Sequence, residues 1–141
     1  MALEWTLEQP ALWDADKALI VGAEDPGVFD RRFKQCRLGD LVPGTWWRVT
    51  DHGKTIGYGW LDAVWGDAEV SLATAGDVRG RGVGSFIMQN LEREARRRDL
   101  LYIYNSVRPT HPDRERVTAW LKKRGFQGSE DGSLLRALAR G

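Results

Sequence analysis

Apolar and polar residues alternate at the start of the chain, as they do in strands that bury one face. Leu3, Trp5 and Leu7 alternate with polar side chains over positions 3–9, and this period of two predicts a first β-strand. The continuous apolar run at 18–21 is an alternative first strand, because a short buried strand gives that pattern as well. The pattern leaves both interpretations open.

The middle of the chain predicts three successive antiparallel strands. Residues 45–50 and 55–64 are rich in aromatic and β-branched side chains and flank a glycine-containing turn, which is typical of a β-hairpin. A second turn at 65–67 leads into an apolar run at 68–75. Ahead of these strands, the spacing of apolar residues favours a short helix at 30–37.

After residue 82 the apolar period lengthens to that of a helix. Apolar side chains three or four positions apart between 83 and 98 predict an amphipathic helix with one buried stripe. The residues of that stripe are Val83, Phe86, Ile87, Leu91 and Ala95.

The last third of the chain predicts a buried strand, a helix and a hairpin. Residues 100–104 are apolar on both faces, as in a central strand that is covered on each side. A helix is predicted at 114–124, with Asp113 as its N-cap and Gly125 as the glycine that ends it. Residues 126–138 predict a final hairpin around a turn with a glycine.

The segment between the third strand and the long helix has the composition of an anion site. Residues 79–85 read Arg-Gly-Arg-Gly-Val-Gly-Ser. Their glycines allow tight turns in which successive N–H groups point at one anion, and the helix N-terminus adds positive dipole charge. The segment lacks the Gly-Lys-Ser/Thr of a Walker loop and the spacing of the dinucleotide fingerprint. We interpret it as a pyrophosphate site of another kind.

Arg79, Gly82 and Gly84 resemble the signature Arg/Gln-x-x-Gly-x-Gly/Ala of the GNAT N-acetyltransferase superfamily. The resemblance extends from about residue 68 to residue 126. It implies one domain over residues 1–141 with a mixed α/β (α+β) fold, in which a largely antiparallel sheet is splayed between its fourth and fifth strands and flanked by helices. It also implies an acyltransferase that moves an acetyl group from acetyl-CoA directly to an amine.

The resemblance assigns acetyl-CoA, as a co-substrate, to the loop and to the strand before it. In the family the loop and the helix N-terminus hold the pyrophosphate, while the splayed strand offers backbone groups to the pantetheine arm. The residues implied to bind the cofactor are Leu72, Ala73, Thr74, Arg79, Gly80, Arg81, Gly82, Val83, Gly84, Ser85 and Asn105.

Three residues are candidates for proton transfer. By resemblance, Glu69 is the first choice for a base that acts through water, and His111 is an alternative with a suitable intrinsic pKa. The family often carries a tyrosine on its last helix as the acid for the CoA sulfur, but that position holds Leu121 here. The acid is then Tyr104, Ser106 or His111, or the thiolate leaves without a proton donor.

Charge is unevenly distributed although the net charge is only +1. Residues 1–78 carry 13 acidic and 7 basic side chains (−6), and residues 79–141 carry 7 acidic and 14 basic ones (+7). A polyphosphate donor favours the basic half, and a cationic amine acceptor, either a small molecule or a peptide, favours the acidic half. Random surface charge is the alternative explanation.

Two other functions fit the sequence. One is a catalytically weak or inactive GNAT-like module that binds CoA as a sensor or interaction subunit, for which Leu121 is an argument. The other is an arginine-rich nucleic-acid binder based on residues 96–98. Nucleic acid is the less favoured partner, because those arginines fall in the last helical turn, where cations balance the helix dipole.

The N-terminal sequence, the hydropathy and the counts of individual residue types indicate a cell compartment and narrow the range of possible partners. The N-terminus is acidic and no apolar run approaches the ~20 residues of a membrane span, so we expect a cytoplasmic protein without a membrane partner. The single cysteine, Cys36, and two distant histidines offer no metal cluster. We interpret Cys36 as a packed thiol and His52 as a loop residue. Seven tryptophans leave room for a homodimer interface.

Overall fold

The computed structural model describes residues 1–22, 36–78, 80–105, 114–128 and 133–138. The strands are β1 (Leu3–Leu7), β2 (Thr45–Asp51), β3 (Lys54–Val64), β4 (Asp67–Thr74), β5 (Tyr102–Asn105), β6 (Gln127–Gly128) and β7 (Leu134–Ala137). The helices are α1 (Ala15–Ile20), α2 (Val83–Arg97) and α3 (Arg114–Lys123), with a 3₁₀ turn at Gly76–Val78.

The strands form one seven-stranded sheet in the order β1-β2-β3-β4-β5-β7-β6. Every neighbouring pair is antiparallel except β4 and β5, which run parallel. That pair is parallel because α2 lies between the two strands in sequence and carries the chain back to the same end of the sheet. The predicted mixed α/β fold with a largely antiparallel sheet is confirmed.

Most of the predicted elements are confirmed, but the alternative first strand at 18–21 is wrong. That segment lies in α1 and its C-terminal end, while β1 is the first strand. The helix forms because the Asp14 carboxylate accepts a hydrogen bond of 2.8 Å from the Lys17 N–H and so caps the first turn. The helix predicted at 30–37 lies outside the described residues except for its last two, which are not helical.

One face of the sheet packs against α2. Within the predicted stripe, Val83, Ile87, Leu91 and Ala95 are buried, and Phe86 is half-buried. Gly59 of β3 permits the close approach of this layer, since a Cβ there would lie 2.5 Å from the Trp5 ring and 3.0 Å from Ile87. The helix that follows the glycine loop is therefore held directly on the strands that precede it.

The opposite face of the sheet packs against α1 and the segment before β2. Trp46 and Trp60 are both buried, and both indole N–H groups donate to the Pro43 carbonyl, at 2.9 and 3.0 Å. Ala73 of β4 belongs to the same cluster.

Of the seven tryptophans, Trp65 is 99% exposed and the others are buried or half-buried, so the core accounts for most of them. The homodimer stays a prediction.

A group of charged side chains fixes α1 to this face of the sheet. Lys17 is fully buried, and its Nζ lies 2.6 Å from Glu8 Oε1 and donates to the Leu12 carbonyl at 2.8 Å. Arg48 Nη2 lies 2.5 Å from Asp14 Oδ2 and 3.0 Å from Glu8 Oε2. The charge of Lys17 is thereby compensated inside the protein, as a buried ion must be.

Asp14 makes one part of this network sensitive to acid. Burial raises the pKa of its carboxyl, but the hydrogen bond from the Lys17 backbone and the charges of Lys17 and Arg48 outweigh that effect and hold the pKa below the ordinary value of 3.8. Because the folded-state pKa lies below the unfolded one, the stabilisation is complete above the unfolded pKa. It is lost as the pH falls through the folded-state pKa.

We expect Asp14→Asn to lower the free energy of unfolding at neutral pH by about 0.5–1 kcal/mol, because the amide still caps α1 but loses its charge at a partly exposed site. Urea denaturation at pH 7 and at about pH 3 measures the difference, which should shrink toward the acidic end. An equal difference at both pH values would contradict the assignment to the carboxylate charge.

Candidate functional site

In the described residues the fourth and fifth strands pair along only part of β4. The parallel ladder pairs residues 67–69 of β4 with Tyr102–Tyr104 of β5, whereas β4 continues to Thr74. Within the described part of β5, no residue pairs with the rest of β4. The Asn105 side chain donates to the Val70 carbonyl at 2.8 Å and so replaces the next ladder bond. The pairing of β4 with β5 therefore ends at Glu69 in the described residues, which is where the predicted splay would begin.

The far half of β4 would border the gap that the predicted splay opens. Leu72, Ala73 and Thr74 pair with β3 on one edge. In a strand, alternate backbone groups point to the two edges, so half of the N–H and C=O groups of this segment point toward the gap. These are the backbone groups assigned above to the pantetheine arm, and that assignment stays a prediction.

The glycine loop follows β4 after the 3₁₀ turn at Gly76–Val78 and leads into α2. Gly80 and Gly82 have φ of +81° and +83°, a left-handed conformation that residues with a Cβ adopt only at a cost. No atom lies within 4 Å of where a Cβ would stand on either residue. Gly82 is the N-cap of α2 and supplies no side-chain acceptor. The first N–H groups of a helix have no acceptor within it, so this turn has the backbone of an anion site.

A cation that the sequence analysis missed lies beside this helix start. Arg124, directly after α3, donates from Nη2 to the hydroxyl of Ser85 in the first turn of α2. Its guanidinium carbon lies 4.2 Å from the centre of the Trp120 ring, and a Cβ on Gly84 would lie 3.6 Å from that ring. Nothing in the local sequence connects residues 85 and 124, so only the packing of α3 on α2 could reveal this contact.

Glu69 and Tyr104 form the last residue pair before the strands separate. Their neighbours Ala68 and Ile103 are fully buried in the core that contains α2. Because side chains alternate along a strand, Glu69 and Tyr104 lie on the opposite face of the sheet, the one that carries α1. Both are half-buried, which leaves the base and acid candidates side by side at the start of the gap.

Comparison with protein families identifies the architecture. The model of the acetyltransferase (GNAT) family matches residues 9–126. The chain belongs to the GNAT acetyltransferase family. The match includes β2 to β5, the glycine loop and both longer helices, and hence every described residue of the candidate site.

Solved GNAT structures share the fold at low sequence identity. The ribosomal-protein-S18-alanine N-acetyltransferase of Escherichia coli is 17% identical with a TM-score of 0.57, over 68% of this chain and 70% of that one. Ard1 from Thermoplasma volcanium is 20% identical with a TM-score of 0.58, over 67% and 70%. A phosphinothricin acetyltransferase from Sinorhizobium meliloti, solved with AcCoA, is 18% identical with a TM-score of 0.57, over 70% and 63%. A search of curated proteins gives no significant match.

In this GNAT chain Leu121 occupies the position at which the family often carries a tyrosine. Its side chain is 3% exposed and packs in the core with Phe126 and Leu134. The position that resembles the family's acid is therefore filled by an aliphatic side chain that contributes packing and no proton. Of the other candidates, Tyr104 lies at the splay, while Ser106 and His111 lie outside the described residues.

Other predicted features have clear places in the structure. His52 occupies the β2–β3 turn with its side chain 80% exposed, as expected of a loop residue. Burial raises the pKa of the Cys36 thiol, and the Asp40 carboxylate raises it further, which disfavours a nucleophilic thiolate. In the described ranges no group of three or more His, Cys, Asp or Glu side chains is arranged to hold a metal. Nor do those ranges include a helix long and apolar enough to cross a membrane.

The structure therefore brings together most of the predicted site. Glu69, Tyr104 and Asn105 meet where the splay begins, and residues 72–74 border the gap that leads to the glycine loop. Arg81 is exposed in that loop. Arg79 and His111 lie outside the described residues, so their roles stay predictions.

Proposed function

We propose that this GNAT chain is an acetyl-CoA-dependent N-acetyltransferase that transfers the acetyl group directly to an amine. The observation that carries the proposal is the continuity of three features. In the described residues the ladder between β4 and β5 ends at Glu69, β4 continues past it to Thr74, and a short turn then leads to the glycine N-cap of α2. A ligand with an extended arm and a diphosphate fits this arrangement in one direction only, with its reactive end at Glu69.

The loop would hold the diphosphate of the donor. Gly80 and Gly82 turn the backbone so that N–H groups converge, and the start of α2 adds positive dipole charge. Arg81 supplies a full charge at the rim. Backbone donors in such a site need no particular side chain, which explains why glycines dominate this segment.

At the start of the gap, the chemistry is a direct transfer. The amine nitrogen attacks the thioester carbon, the new N–C bond forms as the C–S bond breaks, and CoA leaves as a thiolate that gains a proton. A lysine-like ammonium has a pKa near 10.4, so its deprotonation at pH 7 costs about 4.6 kcal/mol. We assign the removal of that proton to Glu69, through water, and we assign to Tyr104 the donation of a proton to the thiolate. The second proton, which the nitrogen loses as the amide forms, restores Tyr104. An N–H on the free edge of β4 would stabilise the oxyanion.

We expect the acceptor to be a cation. The first 78 residues carry a net charge of −6, and Asp62 pairs directly with Glu69 across β3 and β4, which places two carboxylates on one face. In a panel of amines of matched size, kcat/KM should be at least about tenfold higher for cationic acceptors than for acidic ones. A site of opposite charge raises both the rate at which the acceptor encounters the protein and the local concentration of the acceptor. A preference for acidic or neutral amines would overturn this part of the proposal.

Nucleic acid is not an expected partner, since the arginine run at 96–98 has contacts within the protein. Arg96 pairs with Glu92 at 3.4 Å, Arg97 pairs with Glu94 at 3.6 Å, and Arg98 lies 5.5 Å over the Trp47 ring. We place the activity in the cytoplasm, a reducing compartment that suits a chain whose single cysteine is Cys36.

Release of free CoA thiol from acetyl-CoA, measured with a panel of amines, tests the proposal. Amine-dependent release is the expected result.

The second candidate is a module that binds CoA without turnover, and the observation that favours it is the aliphatic Leu121 at the family's acid position. Tight CoA binding without thiol release from any amine would favour this second function, and the absence of binding would exclude both.

A further inference from the structure

The guanidinium of Arg124 is held at an unusual place for a cation. It donates to the Ser85 hydroxyl in the first turn of α2 and lies 4.2 Å from the Trp120 ring centre. The positive end of a helix dipole disfavours a neighbouring cation. The end of α3 also favours a cation at this position, but it does not require the guanidinium to lie at the start of α2.

No acidic side chain balances this charge in the part of the chain that the structure describes. The hydroxyl of Ser85 is neutral, and Nε of Arg124 is a buried donor with no hydrogen-bond partner. A buried donor without an acceptor costs free energy in the ligand-free protein. Arg124 thus combines a full charge with a fixed position beside the glycine loop.

We propose that Arg124 binds the diphosphate of the acyl donor together with the loop and the N-terminus of α2. The inference rests on the proposed function and adds a residue that belongs to none of the loop segments. The planar guanidinium presents parallel donors that match phosphate oxygens. Stacking on Trp120 and the bond to Ser85 set its orientation before the ligand arrives, which lowers the entropy lost on binding.

The matched pair Arg124→Gln and Lys123→Gln tests the proposal by calorimetry with coenzyme A. Both variants remove one positive charge at the end of α3, but only Arg124 contacts the start of α2. Arg124→Gln should weaken binding about 10- to 100-fold, the range for hydrogen bonds to charged groups. Lys123→Gln should stay within about twofold of the unmodified protein, as expected for an exposed charge.

Two further measurements separate a binding role from a structural one. Added salt should weaken CoA binding less in Arg124→Gln than in the unmodified protein, because one charge pair is absent. Arg124→Lys should recover part of the affinity, since it restores the charge without the planar fork. Thermal unfolding of the ligand-free variants shows whether they are folded. A folded Arg124→Gln variant with unchanged salt dependence would contradict the proposal.

The outcomes also separate this inference from the proposed function. If the unmodified protein binds CoA and Arg124→Gln binds it equally well, the inference is wrong and the acetyltransferase proposal stands. If the unmodified protein does not bind CoA, the proposed function fails and the inference fails with it. The loss in Arg124→Gln should be the same for 3′-dephospho-CoA as for CoA. A loss seen with CoA alone would place Arg124 on the 3′-phosphate and overturn the assignment to the diphosphate.

Discussion

Gly82→Asp should abolish coenzyme A binding while the protein stays folded. Residue 82 has φ of +83° and open space where a Cβ would stand, and aspartate tolerates the left-handed region better than most residues. Its carboxylate would lie beside the bound diphosphate at the start of α2. Two like charges about 4 Å apart near a protein surface repel by roughly 4 kcal/mol, which corresponds to a loss of about a thousandfold in affinity.

Gly82→Asn is the matched control, because asparagine has the same shape and backbone preference without the charge. Calorimetry with CoA should show a moderate loss for Gly82→Asn and no measurable binding for Gly82→Asp. Circular dichroism would confirm that both are folded. Equal affinities of the two variants would mean that no anion binds at this turn.

Glu69→Gln should lower turnover at neutral pH by about 10²- to 10⁴-fold, the usual contribution of a general base. Glutamine keeps the size and polarity of the side chain but cannot accept the proton of the ammonium. The defect should diminish as the pH rises toward the pKa of the acceptor, because free amine then forms in solution without help from the protein. The ratio of kcat values of variant and unmodified protein, measured from neutral to alkaline pH, tests this.

Asp67→Asn is the control for Glu69→Gln. Asp67 lies two residues earlier on β4, at the end of the ladder away from the splay. Its substitution should change kcat little and should leave the shape of the pH profile unaltered. A Glu69→Gln ratio that stays flat across pH would remove Glu69 as the base and direct attention to His111.

The region from β4 to α2 was predictable because its signals are local. The apolar run of β4, the glycines with positive φ and the 3.6-residue period of α2 follow one another within about 30 residues. The segment at 18–21 was ambiguous because a short apolar run suits either a strand or a helix. The deciding signal lies four residues before that run, in the Asp14 cap.

The contacts between distant segments could not be predicted from the sequence. Asn105 was assigned to the cofactor by resemblance, and the structure shows its side chain joined to Val70 across the splay. The contact of Arg124 with Ser85 joins residues 39 positions apart, and no periodicity connects them. Such contacts depend on how α3 packs on α2, which is decided by the whole core rather than by any one segment.

Calorimetry of the unmodified protein with coenzyme A and with pantetheine tests the central claim most directly. Pantetheine retains the arm that would follow β4 but lacks the diphosphate that the glycine loop would hold. The account predicts that coenzyme A binds with a Kd in the usual substrate range of about 1 μM to 1 mM, and that pantetheine binds at least about a hundredfold more weakly, because it forgoes two or more charge-assisted hydrogen bonds. No heat with coenzyme A, or equal affinity for the two ligands, would contradict it.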